Sequence, residues 1–179
     1  MPTVLNANIR GGFVNKMDEI SVMLAEHRVM IALVTETWLN SSISETSTHF
    51  NRFITYRRDR ADGRQGGGVV FLVRDDLPCT LLPQLCSPSA EALWLLYRYQ
   101  RMPRKYSHIL IGGIYFPPDG DKALAVAHVI DCLDVISRKH QCLGIILLGD
   151  FNGLPDQQLR AYPLKQIVKG PTRGKSTLD

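Results

Sequence analysis

The sequence has no long apolar run, no internal repeat and no low-complexity tract. Its apolar stretches, such as residues 145–148 and 29–34, fall far short of the ~20 residues that span a bilayer. The first residues contain no basic stretch followed by an apolar segment and a small-residue cleavage site, so we expect neither a membrane protein nor a secretory leader. At 45% hydrophobic and 21% charged, the 179 residues predict an ordinary globular core of one domain, or a large part of one.

Cysteine is scarce as well, and no two cysteines form a C-x-x-C pair. The four are Cys79, Cys86, Cys132 and Cys142. Such sparse spacing excludes a disulfide scaffold and favours free thiols in a reducing, intracellular compartment. One zinc-like alternative stays open, because His128 and Cys132 are four residues apart on a predicted helix and His140 and Cys142 follow closely. Zinc ligation would need the two pairs to converge, whereas buried helix and strand positions are the simpler interpretation.

Positive charge is concentrated in three loop-like segments, although the net charge is only +4. These segments are 52–64, 98–105 and 160–179, and in each of them basic side chains outnumber acidic ones. Basic clusters of this kind suit a polyanion such as nucleic acid, with a solvated surface as the alternative.

Apolar periodicity predicts an α/β protein. Strands are predicted at 4–8, 29–34, 53–56, 69–73, 93–99, 108–115 and 143–148, helices at 13–24 and 123–140, and a short strand or helical turn at 164–168. The runs 29–34 and 143–148 are apolar throughout, which is typical of strands buried on both faces. Helices between apolar strands indicate a layered protein, best arranged as two sheets with the helices outside.

Polar residues follow three of the predicted buried strands. Asn8 ends the first strand, Glu36 follows the second and Asp150 follows the last. Each alone is explained by a turn or a helix start, but loops at strand ends are where layered α/β proteins bind ligands. Together they would offer hard oxygen ligands suited to Mg²⁺, which can bridge to a phosphate. Tyr115 ends another core strand and could donate a hydrogen bond to that phosphate or be a rim aromatic.

Six segments, in chain order, resemble one known family. They are Asn-Ala-Asn-Ile-Arg-Gly-Gly (6–12), Thr-Glu-Thr-Trp-Leu (35–39), Gly-Gly-Gly-Val (66–69), Ile-Tyr-Phe-Pro-Pro (114–118), Gly-Asp-Phe-Asn (149–152), and Pro-Thr-Arg with Leu-Asp (171–173, 178–179). In these six segments the chain is similar to the endonuclease/exonuclease/phosphatase superfamily. Three features most resemble the endonuclease domain of non-LTR retrotransposons. They are the Glu-Thr-Trp-Leu form, the Asp-Arg and Gly-Gly-Gly block at 59–68, and the Pro-Thr-Arg segment.

This resemblance implies a deoxyribonuclease I-like, four-layer α/β/β/α sandwich, with residues 1–179 forming a single domain that lacks its last strands. It implies Mg²⁺ or Mn²⁺ as the cofactor, with Glu36 as the principal metal ligand. Asn8 would lie in the same shell and contact the metal or the phosphate. Asn6 is the alternative alignment for that asparagine and ranks lower.

The resemblance also assigns the residues around the scissile phosphate. Asp150 would orient or deprotonate the attacking water, while Asn152 and Tyr115 would hydrogen-bond the phosphate from opposite sides. Asp179 matches the carboxylate that orients a catalytic histidine in this family. In-line attack on a phosphodiester needs an oriented water, a cation on the developing charge and donors on the non-bridging oxygens, which is the chemistry that these residue types supply.

The implied partner is DNA, bound through its phosphate backbone, with no membrane partner and no indication of the oligomeric state. The arginines expected to contact it are Arg10, Arg57, Arg58, Arg60, Arg64 and Arg173. If the resemblance to retrotransposon proteins holds, the location would be nuclear.

The sequence departs from the family at its end. The family continues to a Ser-Asp-His segment, but this chain stops at Asp179 and none of its five histidines matches that position. The expectation is therefore an Mg²⁺-dependent, DNA-nicking endonuclease of retrotransposon type, impaired by the absence of that segment. A phosphatase acting on phosphoinositides or other small phosphoesters is one alternative. A non-catalytic module that binds nucleic acid or protein is the other.

Overall fold

Eight strands and two α-helices make up the protein in the computed structural model, which describes residues 2–87, 90–98, 102, 104–153, 159–168 and 170. The elements are β1 (Val4–Asn8), α1 (Met17–Glu26), β2 (Ile31–Thr35), β3 (Phe53–Arg58), β4 (Val69–Arg74), β5 (Cys79–Leu81), β6 (Glu91–Tyr97), β7 (His108–Tyr115), α2 (Lys122–Lys139) and β8 (Leu143–Asp150). Short 3₁₀ turns lie at Val14–Lys16, Glu45–Thr48, Pro83–Leu85 and Leu159–Ala161.

The strands form two four-stranded mixed sheets, with the orders β1-β2-β4-β3 and β5-β6-β7-β8. Each sheet contains one parallel pair, β1 with β2 and β7 with β8. Asn8 therefore lies opposite Thr35, and Tyr115 lies opposite Asp150. Because parallel strands end at the same edge, each sheet presents two strand ends side by side.

Three separate apolar clusters define four layers. Leu33 and Phe71 of the first sheet pack against Leu95 and Ile111 of the second to fill the space between the sheets. Outside the first sheet, Phe13, Ile20 and Leu24 from the α1 region cover Ala32 and Leu72. Outside the second sheet, Val129, Leu133 and Ile136 of α2 cover Trp94 and Leu110. The α/β/β/α sandwich predicted from the sequence is confirmed.

Several sequence-based boundaries were wrong. The helix predicted from residue 13 starts as a 3₁₀ turn, because the amide of Lys16 is shared between the carbonyls of Gly12 and Phe13. β5 was missed because three residues after a proline carry no usable periodicity. The strand predicted at 93–99 is β6, which begins at Glu91, and residue 99 lies outside the described residues. No helix or strand forms at 164–168.

β8 also differs from expectation, since its apolar run 143–148 is only half-buried. Among the described strands it pairs with β7 alone, so it lies at the edge of its sheet.

Gly113 lets the two sheets approach each other closely behind the strand ends. A Cβ atom at this position would lie 2.5 Å from Leu33 and 2.6 Å from Phe71 of the opposite sheet. We predict that Gly113→Ala lowers the free energy of unfolding by about 1–3 kcal/mol, since extra volume in a packed core is destabilising. Urea denaturation measures this, with Gly170→Ala as the control because a Cβ added at Gly170 would meet no described atom within 4 Å. Equal stability of both variants would contradict the prediction.

No helix in the described part of the chain is long and apolar enough to cross a membrane. All four cysteines are free thiols. Burial raises the pKa of Cys79 and of Cys132 to about 12, which keeps both as neutral thiols.

Candidate active site

The carboxyl ends of both parallel strand pairs meet at one mouth of the sandwich. The side-chain amide of Asn8, at the end of β1, donates through Nδ2 to Oε1 of Glu36 at 2.7 Å and to Oδ2 of Asp150 at 2.7 Å. Glu36 directly follows β2 and Asp150 ends β8, so a single amide group spans the two sheets. Because both hydrogen bonds start from the same Nδ2 atom, Oε1 of Glu36 and Oδ2 of Asp150 are separated by at most twice 2.7 Å.

Glu36 is held by backbone hydrogen bonds on both of its flanks. It adopts a left-handed conformation with φ 52°, and its carbonyl accepts a hydrogen bond of 2.6 Å from the amide of Gly11. The amide of Trp38 donates to the carbonyl of Gly67 at 2.9 Å. Such a backbone conformation is unfavourable for a residue with a Cβ and persists only where its surroundings enforce it. The carboxylate is therefore presented from a rigid turn.

Asp150 is buried and similarly constrained. Before it, Gly149 has φ 142° and leaves no room for a side chain, since a Cβ would lie 1.7 Å from the carbonyl oxygen of Ile114. After it, the amide of Asn152 donates to Oδ1 of Asp150 at 3.2 Å. The side chain of Asn152 donates through Nδ2 to the carbonyl of Phe116 at 2.8 Å. One proton of the Asn152 amide group is thereby used, and the second is available for another acceptor.

Tyr115 lies beside the carboxylates at the end of β7 and is buried. Burial, reinforced by the negative charge of Glu36, raises its pKa to about 12, although the nearby Arg60 opposes this shift. The guanidinium carbon of Arg60 is 5.9 Å from the centre of the Tyr115 ring. The phenol therefore stays protonated at neutral pH and is a hydrogen-bond donor.

The donor set at the mouth fits a hard divalent cation. Glu36 and Asp150 converge on one point with oxygen ligands, and Glu36 makes no ion pair within the described residues. Mg²⁺ is commonly held by only one or two carboxylates and keeps several of its waters. No group of three or more His, Cys, Asp or Glu side chains that could hold a metal ion occurs in the described residues. This leaves the zinc alternative at His128, Cys132, His140 and Cys142 without support.

Most of the arginines predicted to contact DNA are engaged with the protein itself. Arg57 binds Asp59 and two carbonyls, Arg58 binds the carbonyl of Ser87, and Arg60 binds Glu91. Arg64 binds Asp62 and Asp119 at the surface. Their contact with DNA stays a prediction, as does that of the exposed Arg10. Arg173 and Asp179 lie outside the described residues.

The alternative asparagine, Asn6, has another position. Its Nδ2 donates to the carbonyl of Gly149 at 3.1 Å, which ties β1 to β8. Asn8, two residues farther along the same strand, is the one that reaches the carboxylates.

Sequence reasoning missed Glu91 at this site. It begins β6 and accepts hydrogen bonds from the Arg60 guanidinium at 2.7 Å and from the Gly68 amide at 2.5 Å. A Cβ on Gly67 would lie 2.3 Å from its carboxylate. The sequence signal for this contact was the triple glycine at 66–68, because glycine has no side chain and lets another group approach the backbone closely.

Comparison with known proteins assigns this chain to a family. The model of the endonuclease/exonuclease/phosphatase family matches residues 5–169. No curated protein sequence matches the chain significantly.

Three solved structures share the fold at low sequence identity. The endonuclease domain of TRAS1, a telomere-specific non-LTR retrotransposon, is 19% identical with a TM-score of 0.59, over 85% of this chain and 61% of that one. ANGEL2, a 2′,3′-cyclic phosphatase, is 16% identical with a TM-score of 0.62, over 89% and 55%. The 3′ phosphatase NExo from Neisseria, bound to product DNA hairpin, is 14% identical with a TM-score of 0.57, over 85% and 58%.

The chain thus spans between 55% and 61% of the length of these structures. The family match, in contrast, extends over most of the chain and includes all five side chains described at the mouth, namely Asn8, Glu36, Tyr115, Asp150 and Asn152. The protein belongs to the endonuclease/exonuclease/phosphatase family, a superfamily of metal-dependent hydrolases whose members include endonucleases and phosphatases.

Proposed function

We propose that this chain carries the metal-dependent phosphodiesterase site of a DNA-nicking endonuclease of the retrotransposon type. The observation that supports it most strongly is the bridge from the Asn8 amide to Glu36 and Asp150. Two carboxylates brought together by a neutral amide, with a protonated phenol beside them, supply the metal ligand, the base and the hydrogen-bond donor that phosphoryl chemistry needs.

Each side chain has a distinct part in the proposed reaction. Glu36 would hold Mg²⁺ or Mn²⁺, which when bound supplies positive charge to the phosphate oxygens. Asp150 would orient the attacking water and accept its proton, because its buried carboxylate is fixed by Asn8 and the Asn152 amide. The Tyr115 hydroxyl and the second amide proton of Asn152 would donate to non-bridging oxygens as charge develops there.

Two observations favour DNA as the substrate, namely what two structural relatives are named for or bound to, and the exposed positive charge of Arg10. TRAS1 is named as an endonuclease domain, and NExo was solved with a DNA hairpin product. Arg10 is exposed on the loop that follows Asn8, where a phosphate backbone crossing the mouth would meet it. A small phosphoester would need none of this surface.

Nicking of supercoiled plasmid in Mg²⁺ tests the proposal. We expect conversion to the open circle by the wild-type chain, suppression by EDTA and loss in Glu36→Gln. Glu45→Gln is the matched control, because Glu45 is an exposed glutamate on a separate 3₁₀ turn. A parallel assay follows phosphate release from soluble phosphoesters and phosphoinositides.

Three outcomes would contradict the proposal. Nicking that survives Glu36→Gln would mean that the site lies elsewhere. Phosphate release without nicking would favour the phosphatase alternative. DNA binding with neither activity, in single-turnover reactions with excess protein, would favour a non-catalytic module.

A further inference from the structure

Trp38 is a large apolar side chain left open to solvent beside the candidate active site. It lies two residues after Glu36 and is 40% exposed, whereas the other tryptophan, Trp94, is fully buried. Its backbone has φ 57°, a left-handed conformation that is rare for a bulky residue. A conformation this unfavourable, at an exposed position next to a reactive site, indicates a role other than core packing.

One face of the indole is packed against the protein. A Cβ placed on Gly11 would lie 2.4, 2.5 and 2.9 Å from Cδ2, Cε3 and Cε2 of Trp38. Cδ2 is bonded to both other atoms, so a point this close to all three lies above the ring plane and not beyond its edge. The backbone of Gly11 therefore covers one face of the ring, and the opposite face is the one turned away from the protein.

The ring is held in this orientation from two directions. The Trp38 amide donates to Gly67, and Nε1 of the indole lies 3.7 Å from the Cβ position of Gly66. Gly11, under the ring, donates its amide to the carbonyl of Glu36 at 2.6 Å. The backbone that carries the indole is thus tied to the turn that carries Glu36, so stacking of a ligand on the ring requires little reordering of the protein.

A basic residue directly precedes the glycine under the ring. Arg10 precedes Gly11, is exposed, and forms no ion pair within the described residues, whereas Arg57, Arg60 and Arg64 each bind a carboxylate. An exposed aromatic face, close in the chain to an exposed arginine, suits the two parts of a nucleotide, its base and its phosphate.

We infer that Trp38 and Arg10 form a nucleotide platform, on which an unstacked base of DNA next to the scissile phosphate packs against the indole while its phosphate meets Arg10. This inference rests on the proposed function and adds to it that the substrate must offer a base. Stacking on an aromatic side chain is tolerant of sequence, because every base has a π-face.

The test compares two single-stranded oligonucleotides of equal length, one with bases and one built only from abasic sugar-phosphates. Binding is measured in Ca²⁺ by quenching of tryptophan fluorescence and by anisotropy of an end label. We expect wild-type protein to prefer the strand with bases by about 5- to 150-fold, the range for one stacked base. Trp38→Leu should abolish the preference, and Trp38→Phe should retain most of it.

Tyr106→Leu is the matched control, because Tyr106 is an aromatic residue exposed to a similar degree, 43%, just before the opposite end of β7. Arg10→Gln should weaken the binding of both strands. Equal loss of base preference in Trp38→Leu and Tyr106→Leu, or no loss in Trp38→Leu, would overturn the platform.

Cleavage in Mg²⁺ is measured separately from binding. Base-dependent binding through Trp38 without cleavage would contradict the proposed function and leave the platform standing. Cleavage of DNA with no dependence on Trp38 would contradict the platform alone.

Discussion

Asp150→Asn is expected to slow DNA hydrolysis by about 10²–10⁴-fold, the usual contribution of a positioned general base. Asparagine has nearly the same shape, and its Oδ1 would still accept a hydrogen bond from the Asn152 amide, which now reaches Oδ1 at 3.2 Å. Its Nδ2 would replace the oxygen that accepts from Asn8, so that hydrogen bond is lost together with the charge. It has no negative charge with which to take a proton from water. The loss should therefore appear in the rate of the chemical step, while the protein remains folded.

Single-turnover cleavage of an end-labelled duplex, followed from pH 6 to 9, measures this effect. Asp119→Asn is the matched control, since Asp119 is an exposed aspartate that pairs with Arg64 near the same mouth. The control should cleave at the wild-type rate. If Asp150→Asn cleaved as fast as Asp119→Asn, Asp150 would not act on the water.

The second large effect is expected at the ion pair between Arg60 and Glu91. This pair joins the loop before β4 to the start of β6, and its side chains are only 11% and 14% exposed. Removing one partner of a buried pair leaves the other charge without compensation, at a cost of about 3–5 kcal/mol. We therefore expect Glu91→Ala to lower the free energy of unfolding by that amount.

Arg64 and Asp119 provide the comparison. Their atoms are 2.8 Å apart, close to the 2.7 Å of Arg60 and Glu91, but the two side chains are 55% and 67% exposed. An exposed pair contributes about 0–1 kcal/mol, so Asp119→Ala should change stability little. Guanidinium chloride unfolding of both variants measures the difference. Similar losses in the two would show that burial does not set the strength of these pairs.

Glu91 also stabilises the backbone turn that carries Glu36. Its second oxygen accepts from the Gly68 amide, and the carbonyls of Gly67 and Gly68 bind the two residues after Glu36. Loss of Glu91 should therefore loosen the turn that carries the Glu36 carboxylate, as well as reduce stability.

The strand ends could be predicted because the information for them is local. An apolar run followed by a polar residue marks both the strand and the residue at its end, as at 29–36 and 143–150. Once two such strands run parallel in each sheet, their ends must share an edge. Asn8, Glu36, Tyr115 and Asp150 follow from this rule, and the structure places them at one mouth.

What could not be predicted depends on contacts between distant residues. Arg60 and Glu91 are 31 positions apart, and no periodic pattern links a loop arginine with the first residue of a later strand. Segment charge at 52–64 is positive, yet it does not reveal that Arg64 binds Asp119, 55 positions away. The half-burial of β8 depends on its position at a sheet edge, which its own apolar sequence does not encode.

The central claim, that Glu36 holds a divalent cation at the mouth it shares with Asp150, is tested most directly by locating the cation. Crystals soaked in Mn²⁺ and measured at the manganese absorption edge should show one anomalous peak at the mouth, about 2.1 Å from a Glu36 oxygen and on the side facing Asp150. The peak should be absent from crystals of Glu36→Gln. A peak that does not touch Glu36, or one that persists in Glu36→Gln, would contradict the account.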